Sequence, residues 1–501
     1  MLRRRAERPS RGWTSFRLHP FLIRPVKPYC IALVALCLIA RPLPAGATEG
    51  RAGATDGRVG AGGRVSDAAS GERPTMPVVR PITRGPHYHW FGYYDKLQFD
   101  PSGRFVLGMR VDFENRNPTP EDTVRVGMVD LEDGDRWIEL GESRAWGWQQ
   151  GCHLQWRPGS DREVIWNDRV GGVFVAIVLD VKTGRRRLLP RPVDNLSPDG
   201  RWALGVDFAR IHGFRAGYGY AGVADPNHDA AVPEASGVYR MDLDTGETHV
   251  VVSLAQAAAV GPQHPSVVAG ARRYINHVQW SPDGRRFLFL ERPATRLLTA
   301  AGDGSDLRVV MFDASHYAWR DSRSLCVWTG GGYRLYADAP LAEGELLWAS
   351  VNGHQTYFAD RDWLLTDTYP DAQRMQTIYL LHLPTARRVD LGHFHSPPDY
   401  RGDWRADLHP RLSPDERSVC FDSPHAGGRQ MYLMDIRGLG PNSPGDAQEN
   451  VSVRRSGAGR PRPRRHPGGR APSIPAADVR DEAGSGEGGR SSRQSSPIGF
   501  R

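Results

Sequence analysis

Residues 278–290 read Val-Gln-Trp-Ser-Pro-Asp-Gly-Arg-Arg-Phe-Leu-Phe-Leu and place a four-residue corner between two short apolar runs. Proline presets the backbone φ angle of the corner, while aspartate and glycine tolerate its remaining angles. Apolar runs of this length that flank a turn are typical of β-strands. The stretch therefore predicts a strand, a tight turn at residues 281–284, and a second strand antiparallel to the first.

The same corner recurs along the middle of the chain. Clear copies begin at Ser197 and Ser413, a close variant begins at Asp100, and looser copies begin at Arg157, Arg320 and Ala359. Hairpin-type turns alternate with the corners, for example at residues 180–184 and 242–246. Two hairpins per unit make a four-stranded antiparallel sheet. Seven such units, without long helical stretches between them, predict an all-β, seven-bladed β-propeller over residues 77–440.

The last unit is one strand short. It ends at residues 431–436, which supply only its third strand, whereas residues 76–80 at the start of the repeat region are unassigned. We therefore expect residues near 77–85 to pair beside residues near 430–436. Such a pairing closes the ring and leaves no open sheet edge between the first and last units.

Charge is distributed unevenly along the chain. The formal net charge is +8, but residues 1–80 contribute +9 and residues 451–501 contribute +7, which leaves −8 for residues 81–450. A nucleic-acid-binding domain carries its basic residues on the folded body. An acidic body with basic ends argues against a nucleic-acid partner.

The N-terminal segment resembles an export signal in its composition. An Arg-rich start precedes the apolar run at residues 31–40, and small residues follow it up to Ala47. Ten residues make ~15 Å of helix, too short for a hydrocarbon core of ~30 Å. We predict a signal peptide over residues 1–47 and a secreted or periplasmic protein with no transmembrane domain after cleavage; an uncleaved anchor is the alternative.

Two further segments lack the apolar residues of a folded core. Residues 48–76 are mostly Gly, Ala, Arg, Ser and Asp, and residues 441–501 are rich in Pro, Gly, Ser and Arg. Neither can bury enough apolar surface to offset the entropy of ordering the backbone. They are predicted to be a disordered linker and a disordered basic tail. The tail is interpreted as solvated, with contact to an acidic glycan or a membrane surface as the alternative.

The mature chain would retain three cysteines, Cys152, Cys326 and Cys420. At most one disulfide can form among them, and at least one thiol stays free. Because Cys326 and Cys420 lie inside apolar strand patterns, both are predicted to be buried thiols.

A histidine recurs just before the corner in five of the seven units. The shared pattern is His, two residues and then an apolar residue, and its copies begin at His153, His277, His316, His354 and His409. The position opens the innermost strand of each unit, so the imidazoles are expected to meet at one mouth of the central channel. Such a ring suits a divalent metal or a set of acid–base groups. Alternatively, each His forms a structural hydrogen bond to the neighbouring blade.

Polar residues follow the second strand of most units and should reach the same face of the propeller, where loops usually carry binding residues. The residues predicted to bind substrate are Arg110, Asp207, Arg210, Asp367, Tyr369 and His425. The candidate catalytic residues of this face are His153, Tyr94, Lys96 and Arg429.

The Ser-Pro-Asp-Gly corners resemble the TolB-type propeller repeat. The stretches at residues 352–354, 392–398, 407–410 and 422–425 together resemble the oligogalacturonate lyases. That resemblance implies a divalent metal, manganese or zinc, held by His and Gln side chains in the channel. It implies ligands at His277, His354 and His409. We expect His316 to substitute if one of the three turns away. The resemblance also implies β-elimination on an acidic, uronate-containing oligosaccharide by a protein that we expect to be a monomer.

The chemistry can also be argued from the residues alone. β-Elimination needs the uronate carboxylate neutralised by a metal or an arginine, a base near C5, and an acid or water at the leaving O4. One alternative is a non-catalytic, TolB-like binding propeller that presents the same face to a glycan or a protein. Another is a glycosidase that uses Asp367 and Asp422 as paired carboxylates.

Overall fold

The computed structural model describes residues 76–442. These residues form seven four-stranded antiparallel sheets, as expected for a seven-bladed propeller. The predicted signal segment 1–47, nearly all of the linker 48–76 and nearly all of the tail 441–501 lie outside the described residues. Among residues 76–442, no helix combines the length and the hydropathy needed to cross a membrane.

The blades follow one another along the chain, each from its innermost to its outermost strand. Blade 1 contains β2 (Tyr88–Trp90), β3 (Phe105–Val111), β4 (Val124–Asp130) and β5 (Arg136–Ser143). Blade 2 contains β6 (Gln155–Trp156), β7 (Glu163–Val170), β8 (Val173–Asp180) and β9 (Arg186–Leu189). Blade 3 contains β10 (Asn195–Leu196), β11 (Trp202–Gly205), β12 (Gly237–Asp242) and β13 (Thr248–Ser253).

The next three blades repeat this order. Blade 4 contains β14 (Tyr274–Trp280), β15 (Arg286–Arg292), β16 (Arg296–Ala301) and β17 (Arg308–Phe312). Blade 5 contains β18 (Tyr317–Asp321), β19 (Ser324–Thr329), β20 (Gly332–Ala337) and β21 (Glu345–Ala349). Blade 6 contains β22 (Thr356–Tyr357), β23 (Trp363–Asp367), β24 (Met375–His382) and β25 (Arg387–His395).

Blade 7 closes the ring with a strand from the other end of the propeller. It contains β26 (Arg411–Leu412), β27 (Ser418–Ser423), β28 (Gln430–Asp435) and, outermost, β1 (Val79–Pro81). In the antiparallel register, Val79 lies opposite Met434 and Pro81 opposite Tyr432. The expected closure is therefore present. It joins the first and last units by backbone hydrogen bonds.

Short helices occupy a few connections between these strands. Helix α1 (Phe208–Phe214) follows β11 within blade 3, and α2 (Leu254–Ala259) follows β13. Two 3₁₀ turns lie at Gly402–Trp404 and Gly440–Asn442.

The corners form as their composition predicts. In the corner that begins at Ser281, the serine hydroxyl donates to Asp283 at 2.7 Å, and the Gly284 N–H donates to the Ser281 carbonyl at 2.9 Å. Gly284 has a φ of 68°, in the left-handed region where glycine avoids a Cβ clash. In the last corner, Glu416 occupies the position of the glycine. Its φ of 57° lies in the left-handed region, which residues with a Cβ seldom adopt.

The three described cysteines are free and fully buried in the interblade core. Burial raises the pKa of the Cys326 thiol to about 12 and that of Cys420 to about 11. The prediction of two buried thiols is confirmed, and Cys152 joins them. No disulfide links these three residues.

Because thiolate is the reactive form, we expect these three thiols to resist alkylation in the native protein. Iodoacetamide labelling followed by peptide mass mapping should modify Cys152, Cys326 and Cys420 only after unfolding in guanidinium. Rapid labelling of any of the three in native buffer would contradict the burial described above.

Candidate metal centre

The five ring histidines are all buried, between 0% and 8% exposed. Three of them, His153, His277 and His409, have φ angles of 53°, 56° and 42°. The left-handed region costs a residue with a side chain of order 1–3 kcal/mol, and such strain is concentrated at functional sites. The left-handed backbone sets the direction of the imidazole just before the innermost strand at His153 and His409, and at a register shift inside β14 (Tyr274–Trp280) at His277.

His354 and His409 face each other at the start of blades 6 and 7. Their Nε2 atoms are 3.2 Å apart, and the rings are nearly perpendicular with centroids 4.2 Å apart. Asp407 lies beside them, and one ligand atom from each of the three residues falls within 4.8 Å of the others. Two nitrogens bound to one cation at ~2.1 Å and at roughly 90–109° are themselves about 3.0–3.4 Å apart. The observed separation fits that geometry.

Burial lowers the pKa of His354 to about 4 and, with the neighbouring His354, Arg411 and Arg405, lowers that of His409 well below its usual range. Both imidazoles are therefore neutral at pH 7, which is the form that binds a metal. Two imidazoles and a carboxylate suit manganese and zinc alike. The donor set present here thus fits a divalent cation.

The structure does not bring all the proposed ligands into this group. His316 is adjacent: its ring centroid is 4.1 Å from that of His354, and its Nδ1 is 2.9 Å from the Asn352 side-chain oxygen. His277 is not part of the group. The Tyr93 ring stacks on His277 and meets His409 edge-on, with both centroid separations 5.1 Å, so the phenol ring separates the two imidazoles.

Tyr93 belongs to a segment, residues 91–98, that crosses the central channel. The hydroxyl of its neighbour Tyr94 donates to the Tyr317 carbonyl at 2.9 Å and accepts from the Tyr317 N–H at 3.3 Å. Tyr94, a predicted catalytic residue, therefore has its hydroxyl engaged by the innermost strand of blade 5. A cavity of about 600 Å³ opens beyond the segment and is lined by Tyr94 and Lys96 but by none of the five histidines.

Lys96 and His153, two further catalytic candidates, lie together in a buried ionic cluster. The Lys96 ammonium is 3.0 Å from the Asp95 carboxylate and 3.1 Å from that of Asp194. Burial alone would lower the Lys96 pKa, but the two carboxylates together raise it. Burial, reinforced by Lys96, lowers the pKa of His153 to about 3, and its Nδ1 lies 3.3 Å from the Asp194 carbonyl oxygen.

Arg429, the last catalytic candidate, is held among aromatic rings. Its guanidinium lies 4.7 Å from the centre of the Trp148 ring and donates to the Trp404 carbonyl at 2.7 Å. Glu114 is its ion-pair partner at 3.5 Å. Through Arg429, which precedes β28, these contacts join the loop around residue 404 to the loop after β3 and to the connection between blades 1 and 2.

The predicted substrate-binding residues divide into two groups. Tyr369 and Asp367 lie at the histidine cluster: the Tyr369 ring is 5.5 Å from the His354 ring, and Asp367 contacts the His354 imidazole. The others have partners elsewhere. Arg110 pairs with Glu139, Asp207 caps α1, Arg210 pairs with Asp225, and His425 packs against Tyr432.

The paired carboxylates of the glycosidase alternative are both engaged. Asp422 forms a buried ion pair with Arg411 at 3.0 Å and accepts from the backbone N–H of Phe91 at 3.2 Å. Oδ1 of Asp367 accepts from the backbone N–H of His354, and Oδ2 accepts from that of His409. Burial raises the pKa of Asp367 to about 7, although the N–H groups of both histidines favour its ionised form. The two positions therefore present no pair of accessible carboxylates.

Sequence reasoning missed two arginines beside His277. Burial, followed by the nearby Arg215, lowers the pKa of Arg292, and burial, followed by both arginines, lowers that of His277. Arg292 donates to the Asn276 side chain, and Arg215 lies over the Tyr218 ring at 3.7 Å. Among the described residues, neither arginine forms an ion pair with a carboxylate. Arg292 is the last residue of β15, at the strand end where polar residues are expected, whereas Arg215 lies in an insertion between β11 and β12 that no repeat pattern predicts.

A third missed arginine, Arg405, connects the candidate ligands to the loops above them. It donates to Asp407 at 2.9 Å and to the Tyr218 hydroxyl at 2.8 Å. The loop that precedes it is fixed by Gln149, whose amide donates to the Asp403 carbonyl at 2.8 Å. Asp407 is thus oriented before any cation binds.

No protein-family model and no curated protein sequence matches the chain. Among solved structures, the chain is similar to an oligogalacturonate lyase in complex with manganese, with 15% identity and a TM-score of 0.53, over 74% of this chain and 95% of that one. It is also similar to an oligogalacturonate lyase from Vibrio parahaemolyticus, with 15% identity and a TM-score of 0.51, over 72% and 93% of the two chains. TolB from Acinetobacter baumannii matches with 12% identity and a TM-score of 0.32, over 61% of this chain and 62% of that one. At these identities the two lyase structures support the propeller fold.

Proposed function

We propose that this chain is a metal-assisted lyase that cleaves uronate-containing oligosaccharides by β-elimination outside the cytoplasm. The observation that carries the proposal is the meeting of His354, His409 and Asp407 within 4.8 Å, with His277 and two arginines across the Tyr93 ring. This side of the channel therefore combines donors for a divalent cation with an imidazole and unpaired positive charge.

His354, His409 and Asp407 would hold the cation, manganese or zinc. Bound there, it would supply Lewis-acid neutralisation of the uronate carboxylate. The His316 ring lies 4.1 Å from that of His354, but His316 is not in the group whose ligand atoms meet within 4.8 Å. The manganese complex of a lyase that shares this fold supports the assignment.

Arg292 and Arg215 are suited to bind a substrate carboxylate. Both guanidinium groups lie near His277, and burial, followed by the like charge of Arg215, lowers the pKa of Arg292. A bound carboxylate would relieve that repulsion. Since residues 81–450 carry a net charge of −8, long-range attraction does not favour an acidic sugar, and capture depends on such a local cationic site.

His277 is the residue that we assign as the base. It is neutral at pH 7 because burial, with the arginines Arg292 and Arg215, lowers its pKa well below the ordinary range. A carboxylate bound to those arginines would offset their charge and raise the His277 pKa, so the base would strengthen as substrate binds. His153, the earlier candidate, is less suited because it lies behind Lys96 with its Nδ1 near Asp194.

In the reaction, the imidazole of His277 takes the proton from C5 of the uronate. The electron pair of that C–H bond becomes the C4–C5 double bond, and the C4–O4 bond breaks. The departing oxygen receives a proton from water or from a tyrosine hydroxyl. Tyr93, which stacks on His277, is positioned to fix the plane of the imidazole and to exclude water from one of its faces.

The proposal predicts absorbance from the unsaturated product when the purified chain, stripped with a chelator and reloaded with manganese or zinc, is given uronate oligosaccharides. His277→Gln should abolish this absorbance while the protein still binds metal, since His277 is not a ligand in this assignment. A folded, metal-loaded wild-type protein that produces no absorbance on any oligosaccharide of the panel would contradict the lyase and favour a non-catalytic binding propeller. Calorimetric titration with the same oligosaccharides would then test glycan binding directly.

A further inference from the structure

Asp367, which ends β23, lies between the two histidines of the candidate centre and is 1% exposed. Its Oδ1 accepts a hydrogen bond from the His354 N–H at 2.7 Å and lies 2.9 Å from the His354 Nδ1. Its Oδ2 accepts from the His409 N–H at 3.1 Å and lies 3.1 Å from the same Nδ1. One carboxylate thus contacts the innermost strands of two neighbouring blades.

We infer that Asp367 is a positioning residue: it fixes the tautomer of His354 and the backbone of His409 so that both Nε2 atoms face one cation. The inference rests on the metal part of the proposed function. It assigns Asp367 a role distinct from the substrate binding expected from the sequence, because each of its oxygens already accepts a backbone N–H.

The first part of this role concerns the proton on His354. Burial raises the pKa of Asp367 to about 7, but the backbone N–H groups of His354 and His409 that it accepts favour its ionised form. The ionised carboxylate is an acceptor only, so the Nδ1 that faces it carries the imidazole proton. The lone pair of a neutral His354 is then on Nε2, which is 3.2 Å from the Nε2 of His409. A carboxylate behind the distal nitrogen is a common way to orient a metal-binding histidine and to raise its basicity.

The second part concerns the backbone of His409. Its φ of 42° lies in the left-handed region, which a histidine adopts only when its surroundings hold it there. The hydrogen bond from its N–H to Asp367 supplies such a constraint. Because His354 and His409 belong to different blades, the shared carboxylate also sets the distance between their strands.

The structure offers a matched control in the next blade. Asp422 lies in β27 and, like Asp367, is a buried carboxylate that accepts backbone N–H groups, from Phe91 and Gly92. Its side-chain partner is Arg411 rather than a histidine. Asp422→Asn also leaves the buried Arg411 without its carboxylate, so it should perturb the fold at least as much as Asp367→Asn without altering the tautomer of His354.

The test compares wild type, Asp367→Asn and Asp422→Asn by manganese titration, followed by electron paramagnetic resonance, with circular dichroism to verify folding. We expect Asp367→Asn to weaken manganese binding about 10–100-fold, as loss of an outer-shell partner usually does, and Asp422→Asn to leave the affinity within about threefold. Equal affinity in Asp367→Asn and wild type would overturn the positioning role. A wild-type protein that binds no manganese or zinc would instead overturn the metal part of the proposed function.

A second measurement does not depend on whether the variant folds. In metal-free wild-type protein labelled with ¹⁵N-histidine, the resonance assigned to His354 should report protonation at Nδ1. Protonation at Nε2 would overturn the inference. Neither measurement uses turnover, so a protein that binds metal but cleaves no sugar would still support the role of Asp367.

Discussion

Replacing His354 by alanine is expected to remove metal binding and turnover together, while the propeller remains folded. His354 contributes an Nε2 that faces the His409 Nε2 at 3.2 Å, and it is one of three residues whose ligand atoms meet within 4.8 Å. Its loss leaves only one nitrogen and one carboxylate in the group. The loss of affinity should therefore exceed the ~10–100-fold cost of removing an outer-shell partner.

The same substitution also removes the partner of Asp367, so stability must be measured beside activity. The experiment pairs His354→Ala with His249→Ala, a histidine whose side chain is 63% exposed and paired with Glu247 on the outer surface of blade 3. We expect manganese affinity and product absorbance to be unchanged in His249→Ala and absent in His354→Ala. Wild-type affinity in a folded His354→Ala protein would show that the ion, if one binds, is held elsewhere.

The fold could be predicted from the sequence because its signals are local. The clear corners are closed within six residues, as where the Ser281 N–H donates to the Arg286 carbonyl at 2.8 Å, and proline, aspartate and glycine encode that turn by their own backbone preferences. The closure of blade 7 followed from counting strands. A pattern repeated seven times identifies a propeller even when single copies, such as the one at Arg320, are weak.

The candidate centre could be predicted only in part, because register places residues on a ring without fixing where their side chains point. Counting back from the bond that closes each corner, Lys96 takes the histidine's place in blade 1 and Val193 takes it in blade 3. His153 lies between these two blades and faces Lys96 and Asp194, whereas His354 and His409 have each other as neighbours. The environment of each histidine thus depends on the adjacent blades.

Residues 91–98 show a second limit of the sequence. The sequence predicts that Tyr94 and Lys96 belong to the binding face, yet their segment enters the channel and separates the histidines from the cavity beyond it. Their main partners, Tyr317 and Asp194, are 223 and 98 residues away along the chain. No local pattern encodes contacts over such separations. The same holds for Arg215, which an insertion in blade 3 brings beside His277.

The buried cluster around Lys96 leads to the largest expected change in stability. The side chains of Lys96, Asp95 and Asp194 are at most 2% exposed, and the ammonium is the one cation within 4 Å of either carboxylate among the described residues. Lys96→Met keeps the length of the side chain and removes its charge. Breaking a buried ion pair from one side typically costs about 3–5 kcal/mol, because an uncompensated charge remains in the interior. In Lys96→Met, the carboxylates of Asp95 and Asp194 would both remain buried without a cation.

The matched control is Lys182→Met, which removes a lysine that is 54% exposed and paired with Asp161 on the surface. An exposed pair contributes about 0–1 kcal/mol. Urea denaturation at pH 7.5 should therefore show a loss of about 3–5 kcal/mol in the free energy of unfolding for Lys96→Met and little change for Lys182→Met. A loss below about 1 kcal/mol for Lys96→Met would mean that the ion pairs of Lys96 do not stabilise the position of residues 91–98 across the channel.

The loss of unfolding free energy caused by Lys96→Met should also decrease as the pH falls. Burial raises the pKa values of Asp95 and Asp194 even with Lys96 present, and removal of the ammonium, which lowers both, would raise them further. A carboxyl whose pKa is higher in the folded than in the unfolded state binds more protons when folded, so acid stabilises the folded state relative to the unfolded one. His153, whose pKa is held near 3 by burial and then by Lys96, opposes this trend in wild type and opposes it less in the variant, which lacks the Lys96 charge. The difference in unfolding free energy between the two proteins should therefore be largest at pH 8 and decrease towards pH 5. A difference that stays constant over this range would show that the loss comes from packing around the methionine and not from the two unpaired carboxylates.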